Sequence, residues 1–567
     1  MINRIWIAMI WIAIAAGAAP AATYFVATDG NNNNPGSTGQ PWRTVTHGVS
    51  QLSAGDTLVI RDGVYLDQLY VTTSGTAANR ITIRAENDGQ VIIDGEDARR
   101  PARINGSHIT VEGIVFMNSS GHVVNISGRH NILRRCSAYW GPDQGNPGNG
   151  IGVGGFHNLV EDCVVGGVTN HGLISHSNVG DRRYNTFRRC FSVGSNFPGG
   201  QDRERFPPGD DRLGFTNLNI YGVSNCIVEN CITWGGVRSN GASIHSATFR
   251  PGYMCRDNRV LGSIFLNSPM GGLITGYGYK NSDNHFEHCV VQGNRQGIRQ
   301  LHNDDPDNGN DTWKNITVIG NEIGVTASSG NTSRFVNLAV HNNGRGFSGS
   351  DPYLLEYSNS HGNPVDPWPG ARGEGNISVD PGFRGLVVPS TSPLSEAGKD
   401  GDDIGATIYY RYVDGELTDE PLWPWPMQDR IKTELGIDLM AELEARFGPI
   451  EPPVRHVEVL RPFGGELYLA GDIMAVSWRT NLETAGSAVR IDLESAGRGP
   501  VAELGTVWHP DGENIETFTV PMIQAREDYR VRVTSSWDPA LWALGAHFEI
   551  RHPARPKSRV GFWRRLQ

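Results

Sequence analysis

The sequence predicts an all-β protein in which a parallel β-helix solenoid is followed by a smaller β-sandwich. Similar segments recur through the first two thirds of the chain, and each holds short β-branched strands between Gly and Asn turns. The last hundred residues instead show alternating strands typical of half-buried antiparallel sheets. The chain has 567 residues, 71 glycines and 38% hydrophobic residues. Its core must therefore come from many short elements.

The repeat is marked most clearly by cysteine. Five cysteines recur in similar surroundings, at Cys136, Cys163, Cys190, Cys231 and Cys289, and three other segments fit the frame at Ser263, Ile316 and Leu338. Successive positions are separated by 27, 27, 41, 32, 26, 27 and 22 residues, and an Asn usually stands five residues earlier. Periods of this size indicate a solenoid. Neither a leucine–asparagine consensus nor a 3.6-residue period is present, which leaves a parallel β-helix with one coil per repeat.

The position of these cysteines predicts an inward ladder. Equivalent positions of consecutive coils stack about 4.8 Å apart, so Cys136, Cys163 and Cys190 should be neighbours. Two interpretations stay open, namely buried thiols acting as small hydrophobes and a disulfide framework typical of secreted chains. The total of seven cysteines is odd. A metal site is disfavoured because no CxxC or Cys/His spacing is present.

The N-terminus reads "MINRIWIAMIWIAIAAGAAPAATYF" and predicts a signal peptide over residues 1–22. Arg4 forms the positive region, residues 5–16 are apolar, and small residues near Ala21 or Ala22 suit cleavage. The alternative, an uncleaved anchor, needs about 20 apolar residues. We therefore expect a secreted, periplasmic or cell-envelope protein without a stable membrane span. The net charge of −11 argues against a nucleic-acid partner, but a local basic groove remains compatible with an anionic substrate.

The segment after the leader carries a recognisable pattern: Pro41, Trp42, Thr44, Gly55, Asp56, Thr57, Gly63 and Tyr65. It resembles the cap and first coil of right-handed parallel β-helix proteins of the pectate-lyase-like, polysaccharide-lyase type. A short helix near 43–53 is expected to cover the exposed end of the solenoid. "NISVDPGF" (376–383) resembles the end of such domains, which implies a β-helix over 23–400.

Four further segments complete the predicted organisation. A Trp/Pro-rich extension over 401–447 should pack on the solenoid flank and include a helix over 427–447, and 448–454 is a linker. Residues 455–552 resemble an Ig-like β-sandwich of the Ser/Thr-rich cell-wall-associated family, through Pro462, Gly464, Gly465, Glu466, Gly471 and Trp478. The basic tail 553–567 either contacts anionic envelope polymers or is disordered.

Period two assigns the faces of the second strand in each repeat. The inward residues are expected to be Ile151/Val153, Leu173/Ser175, Leu218/Ile220, Ala242/Ile244 and Val325/Ala327. His176, Tyr221 and His245 then form one outward row. Near it should lie Arg250, Tyr277, Lys280, Arg299 and His302, beside a loop wall over 195–215.

This row suits β-elimination on a uronic-acid polysaccharide. The reaction needs a base, an acid and a cation for the carboxylate. His176 or His245 is the candidate base, Tyr221 the candidate acid, and Arg250, Lys280 or Arg299 the carboxylate partner; Tyr277 and His302 complete the substrate-binding set. The row is alternatively a sugar-binding or a structural surface. The protein is then a non-catalytic glycan-binding or envelope protein, and a glycoside hydrolase also remains open. A monomer is expected.

The chain departs from familiar members of this fold at the acidic positions. Its strands lack the paired "DG" or "DD" aspartates of calcium-dependent pectate lyases and polygalacturonases, and the "DPHD" motif of alginate epimerases is missing. The outward row also lacks the two opposed carboxylates that a hydrolase needs. The acidic run "NDDPDNGND" (303–311) either binds Ca²⁺ through Asp304, Asp305 and Asp307 or is a solvated turn.

Overall fold

The structure, a computed structural model, describes residues 21–551 except 142–147, 178–181, 195–215, 236–239, 246–254, 277–280, 302–308, 328–331, 350–353, 366–367, 369–372, 384, 451–456, 463–464, 481–487, 496–498, 509–511, 536–541 and 545. The chain divides into two compact units. The first comprises residues 1–417 and 421–450, and the second comprises 418–420 and 451–567.

The first unit is a parallel β-helix in which successive coils contribute strands to three long sheets. The chain runs through sheet 1, sheet 2 and sheet 3 in turn, and every pairing within these sheets is parallel among the described residues. Sheet 1 comprises Thr23–Val26, Thr57–Ile60, Ile81–Ala85, Ile109–Glu112, Ile132–Arg134, Leu159–Glu161, Thr186–Arg188, Ile227–Glu229, Arg259–Leu261, His285–Glu287, Thr312–Lys314, Arg334–Val336 and Leu354–Glu356. Sheet 2 comprises Gly63–Tyr65, Val91–Asp94, Ile114–Met117, Ser137–Tyr139, Val164–Gly166, Phe191–Val193, Ile232–Trp234, Ile264–Leu266, Val290–Gln292, Thr317–Ile319, Ala339–His341 and Asn359–His361. Sheet 3 comprises Leu69–Val71, Ala102–Ile104, Val124–Ile126, Ile151–Val153, His171–His176, Thr216–Tyr221, Asn240–His245, Leu273–Thr275, Gln296–Gln300, Ile323–Ala327 and Arg345–Ser348. A short parallel pair, Cys255–Arg256 with Asn281–Ser282, lies outside the three sheets.

The interior of the solenoid is a continuous column of apolar side chains. All five predicted inward pairs are buried, with at most 1% of any of these residues exposed. Rings also stack within the column, as Trp313 lies 3.8 Å from Phe286 between ring centroids. The predicted β-helix fold and its inward faces are therefore confirmed.

The cysteine ladder occupies the corner between sheet 1 and sheet 2. The residue before each cysteine adopts a left-handed backbone, with φ of 49° at Arg135, 51° at Asp162 and 48° at Arg189. This single left-handed residue turns the chain, and the small thiol then points inward. Cys163 Sγ donates to the carbonyl of Glu161 at 3.3 Å and to that of Leu133, one coil earlier, at 3.6 Å. All seven cysteines are buried and free, which favours the thiol interpretation.

An asparagine ladder explains the Asn that stands five residues before the repeat mark. Asn158 Oδ1 accepts a hydrogen bond from the Asn131 amide at 2.9 Å, and Asn185 Oδ1 accepts one from the Asn158 amide at 2.9 Å. The side-chain Nδ2 of Asn158 donates to the Gly128 carbonyl at 3.1 Å. Each buried side chain thus satisfies backbone groups that the turn leaves unpaired. A second ladder of the same kind runs through Asn294, Asn321, Asn343 and Asn363 at the corner between sheets 2 and 3.

The helices are shorter than the sequence pattern predicts. The cap helix, α1, spans Val45–Ser50, and Thr44 accepts a hydrogen bond from the His47 amide at its N-terminus. The helical stretch predicted over 427–447 is divided into α2 (Gln428–Leu435) and α3 (Leu439–Phe447). Gly436 ends α2 in the left-handed conformation, with φ of 69°, as glycine commonly does at helix ends.

The extension covers the outer face of sheet 2. Trp423 and Trp425 are buried in one cluster with Val164, Phe191 and Ile232 of that sheet. The indole N–H of Trp423 donates to the Ile408 carbonyl at 2.9 Å. The predicted packing of the Trp/Pro segment on the solenoid flank is therefore what the structure shows. A short 3₁₀ turn at Lys399–Gly401 precedes this segment.

A hairpin of the extension, Tyr410–Val413 with Glu416–Pro421, covers part of sheet 1. Arg188 donates to Glu229 and to Asp414 at 2.5 Å each. Glu229 is fully buried and also accepts the Gly415 amide at 2.9 Å. Breaking one partner of such a buried pair is costly, so this contact fixes the hairpin on the solenoid.

The second unit is a β-sandwich. One sheet comprises Val457–Arg461, Ile473–Thr480 and Gly512–Thr519, and the other comprises Leu467–Leu469, Ala488–Ser495, Gly499–Trp508, Arg526–Ser535, Trp542–Leu544 and Phe548–Arg551. Met474, Val476 and Trp478 pack against Ile491 and Val531 in a shared core. The sandwich agrees with the sequence pattern, whereas its Ig-like type stays a prediction.

The interpretation of the cysteines as buried thiols predicts how many free thiols can be measured. All seven cysteines should react with a thiol reagent in denaturant without reductant, and they should react slowly in the native protein because all are buried. Burial raises the pKa of the Cys289 thiol to about 12, which further suppresses the reactive thiolate. A count lower by two or more would reveal a disulfide.

The asparagine ladder makes a stability prediction. Asn158→Ala should lower the free energy of unfolding by about 1–3 kcal/mol, because the buried Asn131 amide loses its acceptor. Urea denaturation followed by circular dichroism measures the change. Asn33→Ala, at an exposed loop position, is the matched control and should be near neutral. Equal effects of the two substitutions would contradict a special role for the ladder.

Candidate functional site

The predicted outward row lies at the ends of three consecutive strands of sheet 3. The register pairs His176 with Tyr221, and Tyr221 with His245. Neighbouring strands are about 4.8 Å apart, so the three positions form a row along the solenoid axis. The 41-residue interval therefore counts as one coil, although its loop over 195–215 lies outside the described residues.

His176 sits in a recess on the preceding coil. Its Cε1 and Nε2 atoms lie 3.7 Å from where a Cβ on Gly154 would be, an ordinary van der Waals distance, so the ring lies close over this glycine. Nε2 is buried and has no hydrogen-bond partner among the described residues. Burial lowers the pKa of His176, and the positive charge of Arg183 lowers it further. The imidazole is therefore held neutral, with one ring nitrogen unpaired.

Arg183 is fixed next to this histidine by several contacts. Its guanidinium donates to the Gly154 carbonyl at 2.5 Å and to Ser177 Oγ at 3.0 Å. It also lies over the Phe156 ring, 4.1 Å from the centroid. The sequence pattern gave no reason to choose Arg183, because it falls in a turn rather than on the outward row.

The pair His171 and Asn219 was also missed. Asn219 Nδ2 lies 3.3 Å from both ring nitrogens of His171, and its Oδ1 is buried without a hydrogen-bond partner in the described part of the chain. Strict alternation would turn His171 inward together with Leu173. The strand register is regular from His171 to His176, so no register shift accounts for this contact, which alternation alone did not predict.

Glycines at the start of the sheet 3 strands allow the coils to approach closely. A Cβ on Gly172 would lie 2.5 Å from the Asn217 carbonyl oxygen, and one on Gly241 would lie 2.3 Å from that of Gly272. At such distances a residue with a Cβ atom would not fit at either position. The "G-x-x" beginnings of these repeats are thus structural, and they set the spacing of the row.

Most other predicted site residues cannot be placed. Arg250, Tyr277, Lys280 and His302, and the candidate calcium ligands Asp304, Asp305 and Asp307, lie outside the described residues, as does the side chain of His245. Arg299 is described and lies on the same outer face of sheet 3, in register with Ile274 and Thr326. It stands two coils beyond His245, about 10 Å along the axis.

Asp311, the last residue of the acidic run, belongs to the asparagine ladder. Its Oδ1 accepts from the amide and Nδ2 of Asn284, and its Oδ2 accepts from Thr275. Burial raises its pKa to about 7. Within the described ranges, no group of three His, Cys, Asp or Glu side chains is placed to hold a metal ion. Calcium binding at the preceding aspartates stays a prediction.

The described part of the site offers a neutral imidazole, a phenol and amides. Tyr221 is half-buried beside His176, and Asn219 lies two residues earlier on the same strand. The extension covers sheet 2 and part of sheet 1, and no such cover over sheet 3 is seen in the described residues. This arrangement can accept and donate protons at a surface open to a long ligand.

Comparison with known families agrees with this architecture. Residues 24–238 match the family model described as the Pel9A-like right-handed beta helix region. The match covers the cap, the first coils and the strands that carry His176 and Tyr221. Over these residues, which are less than half of the chain, the solenoid is similar to that right-handed family, in agreement with the resemblance of the motifs near the N-terminus.

Two curated proteins share shorter stretches. The uncharacterized protein YwoF of Bacillus subtilis is 32% identical over 103 residues, which are 17% of this chain and 22% of that protein. Pectate lyase PEL9 of Emericella nidulans is 35% identical over 79 residues, which are 14% of this chain and 19% of that protein. The chain thus spans about a fifth of the length of the curated relatives it matches.

Two solved structures resemble part of this chain at low TM-scores. Pectate lyase Pel9A gives a TM-score of 0.40 at 15% identity and covers 69% of this chain and 96% of its own. XylC in complex with xylose gives 0.40 at 9% identity, over 64% and 87% of the two chains. Neither likeness bears on activity. Among the described residues, no helix is long and apolar enough to span a membrane.

The protonation state of His176 can be measured. Its NMR titration midpoint in the folded protein should fall below the ordinary 6.5, since burial and Arg183 both oppose the charged form. Arg183→Met removes the like charge and should raise the midpoint. The His176→Gln variant assigns the signal. A midpoint above 6.5 would contradict the described environment.

Proposed function

We propose that this protein is an exported polysaccharide lyase that cleaves a uronic-acid glycan by β-elimination on the outer face of sheet 3. The observation that supports it best is the buried, unpaired Nε2 of His176, held neutral next to Tyr221. A general base must be unprotonated and within reach of the proton it removes. The predicted signal peptide supports export.

The chemistry assigns one role to each group. Nε2 of His176 takes the proton from the carbon next to the carboxylate as that C–H bond breaks. The electron pair forms the new carbon–carbon double bond, and the bond from the adjacent carbon to the glycosidic oxygen breaks. Tyr221 donates its phenolic proton to the departing oxygen. His176 then loses its proton to solvent, and Tyr221 regains one, so the site is restored.

The carboxylate of the substrate needs a cation, because the intermediate carries a second negative charge. Arg183 is a described cation that acts electrostatically on His176, and it is held there by Gly154 and Ser177. Arg250 and Lys280 remain proposed partners from the sequence pattern. Arg299 is too far along the axis to serve the same sugar ring as His176, and we assign it to a neighbouring sugar of the chain.

The proposed mechanism fixes the sign of the pH dependence. Because the pKa of His176 lies below its ordinary value, the base is already available at mildly acidic pH. Activity should fall only as the pH drops through the lowered pKa.

A hydrolase is less consistent with the site, since the described outward row lacks paired carboxylates.

The test is a panel of uronic-acid polysaccharides, with the ultraviolet absorbance of the unsaturated product as the readout. His176→Ala, Tyr221→Phe and His245→Ala should each reduce activity by about 10²–10⁴-fold, the usual worth of general acid–base catalysis. His361→Gln, a half-buried histidine on the last strand of sheet 2, is the matched control and should retain activity.

Three results would overturn the proposal. Wild-type rates in all three variants would remove the site. Binding without product on every polymer would favour a non-catalytic glycan-binding protein. New reducing ends without the absorbance of an unsaturated product would favour a glycoside hydrolase.

A further inference from the structure

A column of four aromatic side chains lies on the corner between sheet 3 and sheet 1, away from the row that holds His176. His108, His130, His157 and Tyr184 occupy equivalent turn positions on consecutive coils. Their ring centroids are 4.9 Å apart at each step, with interplanar angles of 8°, 6° and 1°. The rings therefore form one continuous stack along the solenoid axis.

The backbone holds this stack in place. Each residue adopts the left-handed conformation, with φ of 57° at His108, 55° at His130, 54° at His157 and 51° at Tyr184. The asparagine ladder follows directly in sequence and fixes the turn. Since the ring faces cover one another, the edges are what solvent meets; His130 and His157 are exposed, and Tyr184 is 41% exposed.

Arginines accompany the stack. Arg80 donates to the His130 carbonyl at 2.6 Å and to the Ile109 carbonyl at 3.0 Å. Arg129 and Arg183 both lie over the Phe156 ring, 4.8 Å and 4.1 Å from its centroid. Neither Arg80 nor Arg129 forms an ion pair with a described carboxylate. The charged groups that act on His108 are His130 and Arg80, and those on His157 are His130 and Arg129.

Several arginines of the solenoid pair with acids: on sheet 1, Arg134 meets Glu161 at 2.7 Å and Arg188 meets Glu229 at 2.5 Å. Arg80 and Arg129, beside the ring column, form no such pair with a described carboxylate, in a protein whose net charge is −11. A local group of unpaired cations on an acidic protein favours an anionic ligand.

We propose that the column is a second binding surface for an acidic polysaccharide, separate from the row at His176, and that it binds more tightly at acidic pH. The regular step of 4.9 Å, one ring per coil, suits a linear polymer lying along the axis. That the polymer is an acidic glycan rests on the proposed function, whereas the attraction to a polyanion does not.

The sign of the pH effect follows from the surroundings. Burial, then the neighbouring imidazole and arginine, lower the pKa of His108 and of His157. Without a ligand, His108 and His157 resist protonation, since a new charge on either ring faces cations. A bound polyanion favours the protonated rings, so affinity must rise as the pH falls. Each imidazole that becomes charged should add about threefold in affinity.

Dextran sulfate is the first probe, because its charge does not change between pH 7.5 and pH 5.5, and polygalacturonate is the second. Isothermal titration calorimetry of the full chain should show tighter binding of both at the lower pH, weakened by salt. In the double variant H130Y/H157Y the acid-dependent gain should shrink by about an order of magnitude, to the roughly threefold share of His108. Tyr184 already occupies this row, so a tyrosine ring keeps the stack. His361→Gln should behave like the wild type.

Four outcomes decide the proposal. It is overturned by equal affinity at the two pH values, by an acid-dependent gain as large in H130Y/H157Y as in the wild type, or by equal binding of neutral dextran. A reduced gain in the double variant, with an unchanged thermal unfolding midpoint, supports it. Failure of the proposed function is distinguishable, because these measurements need no unsaturated product. His176→Ala should lose cleavage and keep the acid-dependent binding.

Discussion

Parallel backbone pairing between successive coils is the constraint on which the rest of the structure depends. It places every residue about 4.8 Å from its equivalents one coil before and one coil after. A side chain must therefore be compatible with the equivalent side chains on the coils before and after it. Asn158 does so by bonding the Asn131 amide behind it while its own amide bonds Asn185 ahead. The thiol of Cys163 reaches the carbonyl of the previous coil in the same way. Rings, amides and thiols form ladders because the backbone repeats.

The same constraint explains how much of the fold the sequence could predict. Cysteine spacing counts the coils, and period two then gives the buried faces, so Leu173 and Ile220 could be assigned correctly. The pairing of His176 with Tyr221 followed, because the strand register survives the long interval between them. Local departures from the repeat could not be predicted from the sequence pattern. The contact between His171 and Asn219 does not follow from the alternation, and the division between α2 and α3 depends on the left-handed Gly436.

Site residues were less predictable than the fold, for an electrostatic reason. The spacing of residues along the chain predicts where a side chain lies but not which groups it contacts. The charged side chains Glu161 and Arg188 are used in buried ion pairs that hold the extension. Asp311 ends the acidic run, yet its oxygens serve the asparagine ladder. His176 Nε2 is one of several buried polar atoms without a described partner, and it lies on the outward row next to Tyr221. A buried polar atom without a partner costs stability, and a catalytic role is one of the explanations for keeping one.

If both proposals hold, the two histidine sets on this solenoid respond to pH in opposite directions. His176 acts only when neutral, and burial beside Arg183 keeps it so. The column of His108, His130 and His157 binds best when charged, and it is placed at the surface, where a polyanion can supply the missing counter-charge. Acidic conditions would then retain the polymer on the column while slowing its cleavage, and a rise in pH would release it as the base becomes available. The coil repeat makes this possible, because the same backbone spacing stacks residues both on the recessed face that carries His176 and on the exposed corner that carries the histidine column.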